Sequence, residues 1–251
     1  MIDFLFALQF LTIIPVKIRD VYEKRIPKSM IYFPLVGLLL GLILAGANGL
    51  LSFFNFEPYF INVMLVILLI VLTGGIHLDG LADTTDALLS GKDREEMLEI
   101  MRDSRIGVMG TLGLISIILL KIALVSALTV SLKTISLILM CVLSRWSLVF
   151  AMFLFPYARE DGKAKLFIQG INFKIFILAT MLALISIAGT GKLSGLLVFA
   201  ISAIGTYIIN KFITRKIGGI TGDTLGATNE LIEIIILFSI CILERINLWI
   251  I

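Results

Sequence analysis

The stretch from Ile106 to Leu128 reads IGVMGTLGLISIILLKIALVSAL, twenty-three residues with a single charge, Lys121. Coiled as an α-helix it is about 34 Å long, enough to cross the ~30 Å hydrocarbon core of a bilayer. A membrane β-barrel is excluded, because its strands would alternate apolar and polar residues. This one run makes the chain a helical membrane protein, and its surroundings repeat the signal.

Six more apolar runs flank it: Met30–Phe54, Tyr59–Ile76, Thr134–Phe155, Lys174–Ala188, Leu193–Phe212 and Leu231–Trp249. Together they predict an all-α, polytopic bundle of about seven spans, of which the second and fifth are short. Ile2–Val16 is also apolar, but it is only 15 residues long and Pro15 ends it. That is too short for a comfortable crossing, so an interfacial or re-entrant N-terminal helix is expected. Composition agrees with the bundle. Hydrophobic residues make up 59%, charged residues 16%, and mean hydropathy is +1.08, whereas soluble chains are roughly 45–50% apolar. No repeat, appended soluble domain or signal peptide is visible, and residues 1–251 read as one membrane domain. Cys141 and Cys241 lie inside apolar runs and read as packing residues, with no disulfide framework.

Net charge is only +3, but the positive residues are unevenly placed. Lys17, Arg19, Lys24, Arg25 and Lys28 precede the first span. Lys92, Arg94, Arg102 and Arg105 follow the second, Arg159, Lys163, Lys165 and Lys174 the fourth, and Lys211, Arg215 and Lys216 the sixth. Those sixteen fall on one side, against Lys133, Lys192 and Arg245 on the other. Positive loops stay cytoplasmic. The expected protein is therefore a multi-pass protein of the cytoplasmic (inner) membrane, with its N-terminus inside and its C-terminus outside.

On the cytoplasmic side lies a polar island. Between Thr73 and Arg105 the chain places eight of its eighteen acidic residues and its only histidine. Asp79, Asp83 and Asp86 are spaced i, i+4, i+7, within roughly 60° of one helix face. Gly80 and Ala82 leave room for close approach beside them. Carboxylate oxygens suit Mg²⁺, or Mn²⁺, bridged to substrate phosphates. A solvated face is the alternative, and the lack of a basic partner at i±4 favours metal. Lys92–Met101 reads as an amphipathic helix capped by Asp93, with Glu95, Glu96 and Glu99 on its wet face. Arg102, Asp103 and Arg105 then form either a phosphate-binding corner or a positive anchor. His77 is a candidate proton carrier or a structural residue. Asp86 and Asp103 are further candidates to accept a proton.

Two other features carry chemistry. Arg145 lies about 16 Å of helix from the cytoplasmic end of its span, too deep to snorkel easily. It is expected to meet an Asp or a substrate phosphate. Lys121 lies nearer the outer end and reads as structural. The segment Lys216–Glu230, with Gly219, Gly222 and Asp223, is a Gly-rich turn before the final span. It could offer N–H groups to phosphate and Asp223 to a metal.

The run HLDGLADTTDALLSGKDREEMLEIMRDSRIGVMG, with the N-terminal FLTIIPV, FPLVGLLLG and the late GGITGDTLGATNE, resembles the cobalamin synthase family, the adenosylcobinamide-GDP ribazoletransferases, over essentially the whole chain. Leu78 stands where many members carry an acid, so no ligand comes from that position. The resemblance implies that adenosylcobinamide-GDP is joined to α-ribazole, or its 5′-phosphate, with release of GMP and a requirement for Mg²⁺. Metal is then expected on Asp79, Asp83, Asp86 and Asp223, and phosphate on Arg102, Arg105, Arg145, Gly219 and Gly222. His77, Asp86 and Asp103 are the expected catalytic groups. The partners are those two substrates and the bilayer, without nucleic acid, and a homo-oligomer is left open. The DG–A–D pattern is also similar to CDP-alcohol phosphotransferases, but Asp83 replaces their Arg after Ala82. An ion transporter with a carboxylate site is the rival from another class. It should carry ionisable groups through the membrane depth in repeated halves, and here the acids concentrate on one face.

Overall fold

The computed structural model describes residues 2–16, 25–162, 164–188 and 192–249. Lys17, Arg19, Lys24 and Lys163 of the charge count lie outside the described residues. In chain order the helices are α1 (Ile2–Leu11), α2 (Ile26–Ser29), α3 (Phe33–Phe53), α4 (Pro58–Thr73), α5 (Ile76–Leu89), α6 (Arg94–Ile100), α7 (Val108–Ala127), α8 (Val130–Leu154), α9 (Lys165–Gly170), α10 (Phe173–Ala188), α11 (Lys192–Ile217) and α12 (Gly222–Arg245), with a 3-10 turn at Met30–Tyr32. The described residues hold no strand beyond an isolated bridge between Tyr157 and Ile220.

Each of the seven expected runs contains a helix. Five are long and apolar enough to cross a membrane: Ile26–Phe53, Val108–Ala127, Val130–Leu154, Leu193–Ile217 and Gly222–Arg245. The pair α4–α5 adds a sixth only if its 90° bend is counted within one span, and α10 is shorter than the rest. The bend has a local cause. Gly74 and Gly75 both have positive φ, 63° and 70°, a conformation that costs glycine little. The Gly74 and Gly75 N–H groups close the last turn of α4 on Val71 and Ile70 carbonyls, in the manner of a left-handed C-cap. Helix α5 therefore turns away from the crossing direction and lies outside the five spans. Helix α1 is only ten residues, about 15 Å. It packs on the 3-10 turn and on α3 through Phe4–Tyr32 and Phe10–Phe33.

Helices α8 and α12 form the interior. Helix α3 packs on α8 through Gly37 and Gly41: a Cβ at Gly41 would stand 2.7 Å from Ile138 Cα, and one at Gly37 would overlap the Cys141 carbonyl. Small residues let backbones approach where lipid removes the hydrophobic drive for helix association. Cys141 is buried in that contact. Helices α7 and α11 instead turn Leu112, Ile115, Leu119, Ile204, Ile208 and Phe212 outward, the composition of a lipid-facing belt.

At one end of the bundle three connections meet. Arg94 Nε donates to the Ile217 carbonyl at 2.8 Å and its Nη2 reaches the Ala158 carbonyl at 3.4 Å. Ala158 N–H donates to Ile220 O and Ile220 N–H to Pro156 O. Asp93 caps α6 by accepting from Glu96 N–H at 3.0 Å. Met97 and Met101 bury the apolar face of α6 against Ile213 and Ile217, so the expected amphipathic helix is present, with Glu95, Glu96 and Glu99 exposed.

Candidate functional site

The site grows from a crossing of α5 over α12. At Gly80 an added Cβ would lie 2.6 Å from the Asp223 carbonyl, and at Gly226 one would lie 2.9 Å from the His77 carbonyl. Glycine at both positions allows the two backbones to touch. The helix that approaches beside the aspartates is therefore α12. Its start is fixed by a capping box, in which Thr221 Oγ1 accepts from Thr224 N–H and Thr221 N–H donates to Thr224 Oγ1.

Asp79 and Asp83 face an open cavity of about 490 Å³, lined also by Gly74, Gly75, Ile76, Ser104 and Ile106. Neither carboxylate has a hydrogen bond or ion pair among the described residues. Burial, followed by the charges of Asp79, Asp223 and Asp86, pushes Asp83 up to about 6, with Arg159 opposing. The cost of gathering these charges falls when a cation joins them.

Asp86 does not join this pair. Its Oδ2 accepts from Gly107 N–H at 2.7 Å and its Oδ1 from Gly110 N–H at 2.8 Å. It caps α7 from a neighbouring helix, where unpaired N–H groups and the helix dipole favour a carboxylate. The i, i+4, i+7 spacing is real, but Asp86 sits at the edge of that face nearest α7, which claims it. Gly107 and Gly110 leave no space for a Cβ beside it. Of the four aspartates expected on metal, Asp79 and Asp83 line the cavity, Asp223 lies at the crossing beside Gly80, and Asp86 is engaged with α7. Among the described residues no group of three or more His, Cys, Asp or Glu side chains is arranged to hold a metal ion.

The remaining expected residues separate. Arg105 is paired with Asp103 at 2.6 Å and its side chain is 87% exposed; the hydrogen bonds from Arg105 hold Asp103 down at about 2. Asp103 is thus engaged by Arg105 and does not line the acid cavity. His77 is 6% exposed. It lines a small cavity of about 60 Å³ with Phe10, Phe33, Phe167 and Gly222, its Nε2 has no partner, and it does not line the acid cavity. Gly219 lies against Pro156 and Ala158 backbone. Close approach of two loops accounts for this glycine. Gly222 opens α12, and its nearest neighbour to an added Cβ is Ala164 at 3.9 Å.

Arg145 is fully buried and its Nη1 donates to Glu233 Oε1 and, at 2.8 Å, to Ser144 Oγ. Lys121 Nζ pairs with Glu233 and with Glu230, the latter at 2.7 Å. Two cations and two carboxylates from α7, α8 and α12 thus close a buried network. Arg145 lines neither the acid cavity nor the cleft described next, so its expected grip on phosphate is corrected to an intramembrane ion pair. The partner acids are visible in the sequence as Glu230 and Glu233, one turn apart at the head of the last apolar run. Lys121, read as structural near the outer end of its span, is buried on two carboxylates and does not snorkel.

One arginine was missed as a site residue. Arg159, read only as a loop charge, is 11% exposed at its side chain, and its Nη2 lies 2.8 Å from Asp223 Oδ2. Its Nε has no hydrogen-bond partner. With Arg94, Glu95, Glu99 and Arg102 it lines a second, polar cleft of about 390 Å³. Nothing in the local sequence distinguishes it from its neighbours; only the fold brings it to Asp223.

The chain matches the family model described as cobalamin-5-phosphate synthase over residues 3–241. It is 42% identical over 239 residues to the adenosylcobinamide-GDP ribazoletransferase of Caldanaerobacter subterraneus subsp. tengcongensis, covering 93% of this chain and 96% of that one. It is 35% identical over 250 residues to the protein of the same name from Clostridioides difficile, covering 96% and 97%. No solved structure matches.

Proposed function

We infer the chemistry from one premise: the chain belongs to the cobalamin-5-phosphate synthase family. It is a multi-pass membrane transferase of cobalamin biosynthesis that joins adenosylcobinamide-GDP to α-ribazole, or its 5′-phosphate, and releases GMP. The observation that carries the placement of the reaction is the pair of partnerless carboxylates, Asp79 and Asp83, beside Asp223 in an open cavity.

The donor set fits Mg²⁺. That ion usually takes one or two carboxylates, keeps several waters and binds substrate phosphates, rather than sitting in an all-protein cage. Asp79 and Asp83, with Asp223 beside them, would hold it. When bound, Mg²⁺ would offset the negative charge of the diphosphate. The chain's own residues supply the rest. A ribose hydroxyl of α-ribazole attacks the phosphorus attached to cobinamide, and the new O–P bond replaces the bond to the bridging oxygen, which leaves with GMP. The hydroxyl proton passes to a carboxylate oxygen of Asp79 or Asp83 that does not hold the metal, since Asp86 is engaged with α7, Asp103 with Arg105, and His77 lies off the cavity. Arg159 holds Asp223 in place and Arg102 stands free to meet phosphate. The three loops face the cytoplasm, where nucleotide substrates are, in the cell membrane.

Purified protein given Mg²⁺, adenosylcobinamide-GDP and α-ribazole should release GMP, and EDTA should stop the release. Turnover that survives exhaustive chelation would remove the metal from this reading.

A further inference from the structure

We propose that the polar cleft between α6 and the loop after α8 is a guanine-nucleotide subsite that recognises the base of the leaving GMP. This rests on the transfer reaction above and adds which part of the substrate lies where. Glu95 and Glu99 are i, i+4 on α6, both line the cleft, and neither side chain has a hydrogen bond or ion pair among the described residues. A carboxylate accepts from the N1–H and the 2-amino group of guanine together; adenine has neither donor at those positions. The second observation is cationic. Arg159 lines the same cleft and is nearly enclosed, with an unpartnered Nε and its Nη2 on Asp223. Arg102 lines it too, its side chain without a partner among the described residues. Ser104, two residues along, belongs to the acid cavity.

The cleft and the acid cavity therefore adjoin across the Asp223–Arg159 pair. A diphosphate held at that junction has a polar, carboxylate-bearing recess on one side. On the other it has a cavity whose wall includes Ile76, Ile106 and Leu114. The recess is lined also by Glu160 and Asp161, so it takes the guanine base by its hydrogen-bond donors, and the phosphates stay at the junction with Arg102 and Arg159. The cobinamide end is left to the cavity. Arg94 is already committed to the Ile217 and Ala158 carbonyls and fixes the floor.

The test uses the full-length chain in detergent and a fluorescent N-methylanthraniloyl GMP, displaced by GMP, IMP or AMP. Wild-type protein should prefer GMP to AMP by on the order of 100-fold, with IMP between, because a site built for hydrogen-bond donors rejects ligands that lack them. The double variant Glu95→Gln/Glu99→Gln should lose roughly tenfold of that preference while still binding the nucleotide. Arg102→Gln should weaken GMP and AMP alike and leave the preference intact. Full preference in the double variant, or no GMP binding by wild-type protein, overturns the proposal. Failure of the transfer reading would show separately, as wild-type protein that releases no GMP from its two substrates.

Discussion

Asp86 and Asp83 are three residues apart, carry the same functional group, and should behave differently when altered. Asp79→Asn and Asp83→Asn should each lower turnover by at least 100-fold with little change in detergent melting temperature, because they hold no structural partner. Asp86→Asn should instead lower stability by about 1 kcal/mol, the usual worth of a helix cap, and spare more activity. Equal losses of activity in all three, at unchanged stability, would restore the single ligand face read from spacing. Spacing reports which side of a helix a residue occupies; it does not report which neighbour claims it. Arg145 makes the same point at depth. Its need for a partner was legible from its position, but not that the partner is Glu233. Arg145→Met should cost about 3–5 kcal/mol, as expected when one member of a buried pair is removed. Adding Glu233→Gln should restore part of it, measured as a double-mutant cycle. Additive losses would show that the pair is not coupled.

At the level of elements, the apolar helices were legible because the bilayer imposes length and hydropathy directly. The starts and ends were not, where packing decides. The last span reads from Leu231, yet α12 begins at Gly222. Gly226 and Thr228 look like loop residues, but they are buried where α5 and α11 press on the helix: Gly226 against His77, and Thr228 Oγ1 3.2 Å from Asn210 Oδ1. Tertiary contact overrides their modest helix propensity. The second span reads to Ile76, yet Gly74 and Gly75 end α4 at Thr73 and turn the chain through 90°. The crossing these bends create is narrow. Gly80→Ala places a methyl 2.6 Å from the Asp223 carbonyl, so α5 must shift. Turnover should fall at least tenfold, with weaker Mg²⁺ dependence. Gly49→Ala, on α3 where nothing lies within 4 Å, should be neutral in both. Full activity in Gly80→Ala would mean that the crossing does not set the carboxylate positions.

For the molecule as a whole, the division of Lys and Arg predicts orientation. A reporter fused after Ile251 should lie outside the cytoplasm, and one inserted near Lys92 inside. A cytoplasmic C-terminal reporter would take one crossing away, with α10, only 16 residues long, the first to be doubted. The buried network of Lys121, Arg145, Glu230 and Glu233 ties α7 and α8, which are neighbours in sequence, to the much later α12. It also sets a timetable. Helices α7 and α8 leave the ribosome before α12, each bringing one cation of this network into the bilayer before Glu230 and Glu233 are made. The same late helix carries Asp223 to the crossing with α5. A nascent chain that has inserted everything up to α11 is therefore both electrostatically unfinished and unable to assemble the acid site. Arrival of α12 resolves both conditions in one insertion, so the charge balance of the bundle and the proposed acid site are completed at the same moment of synthesis.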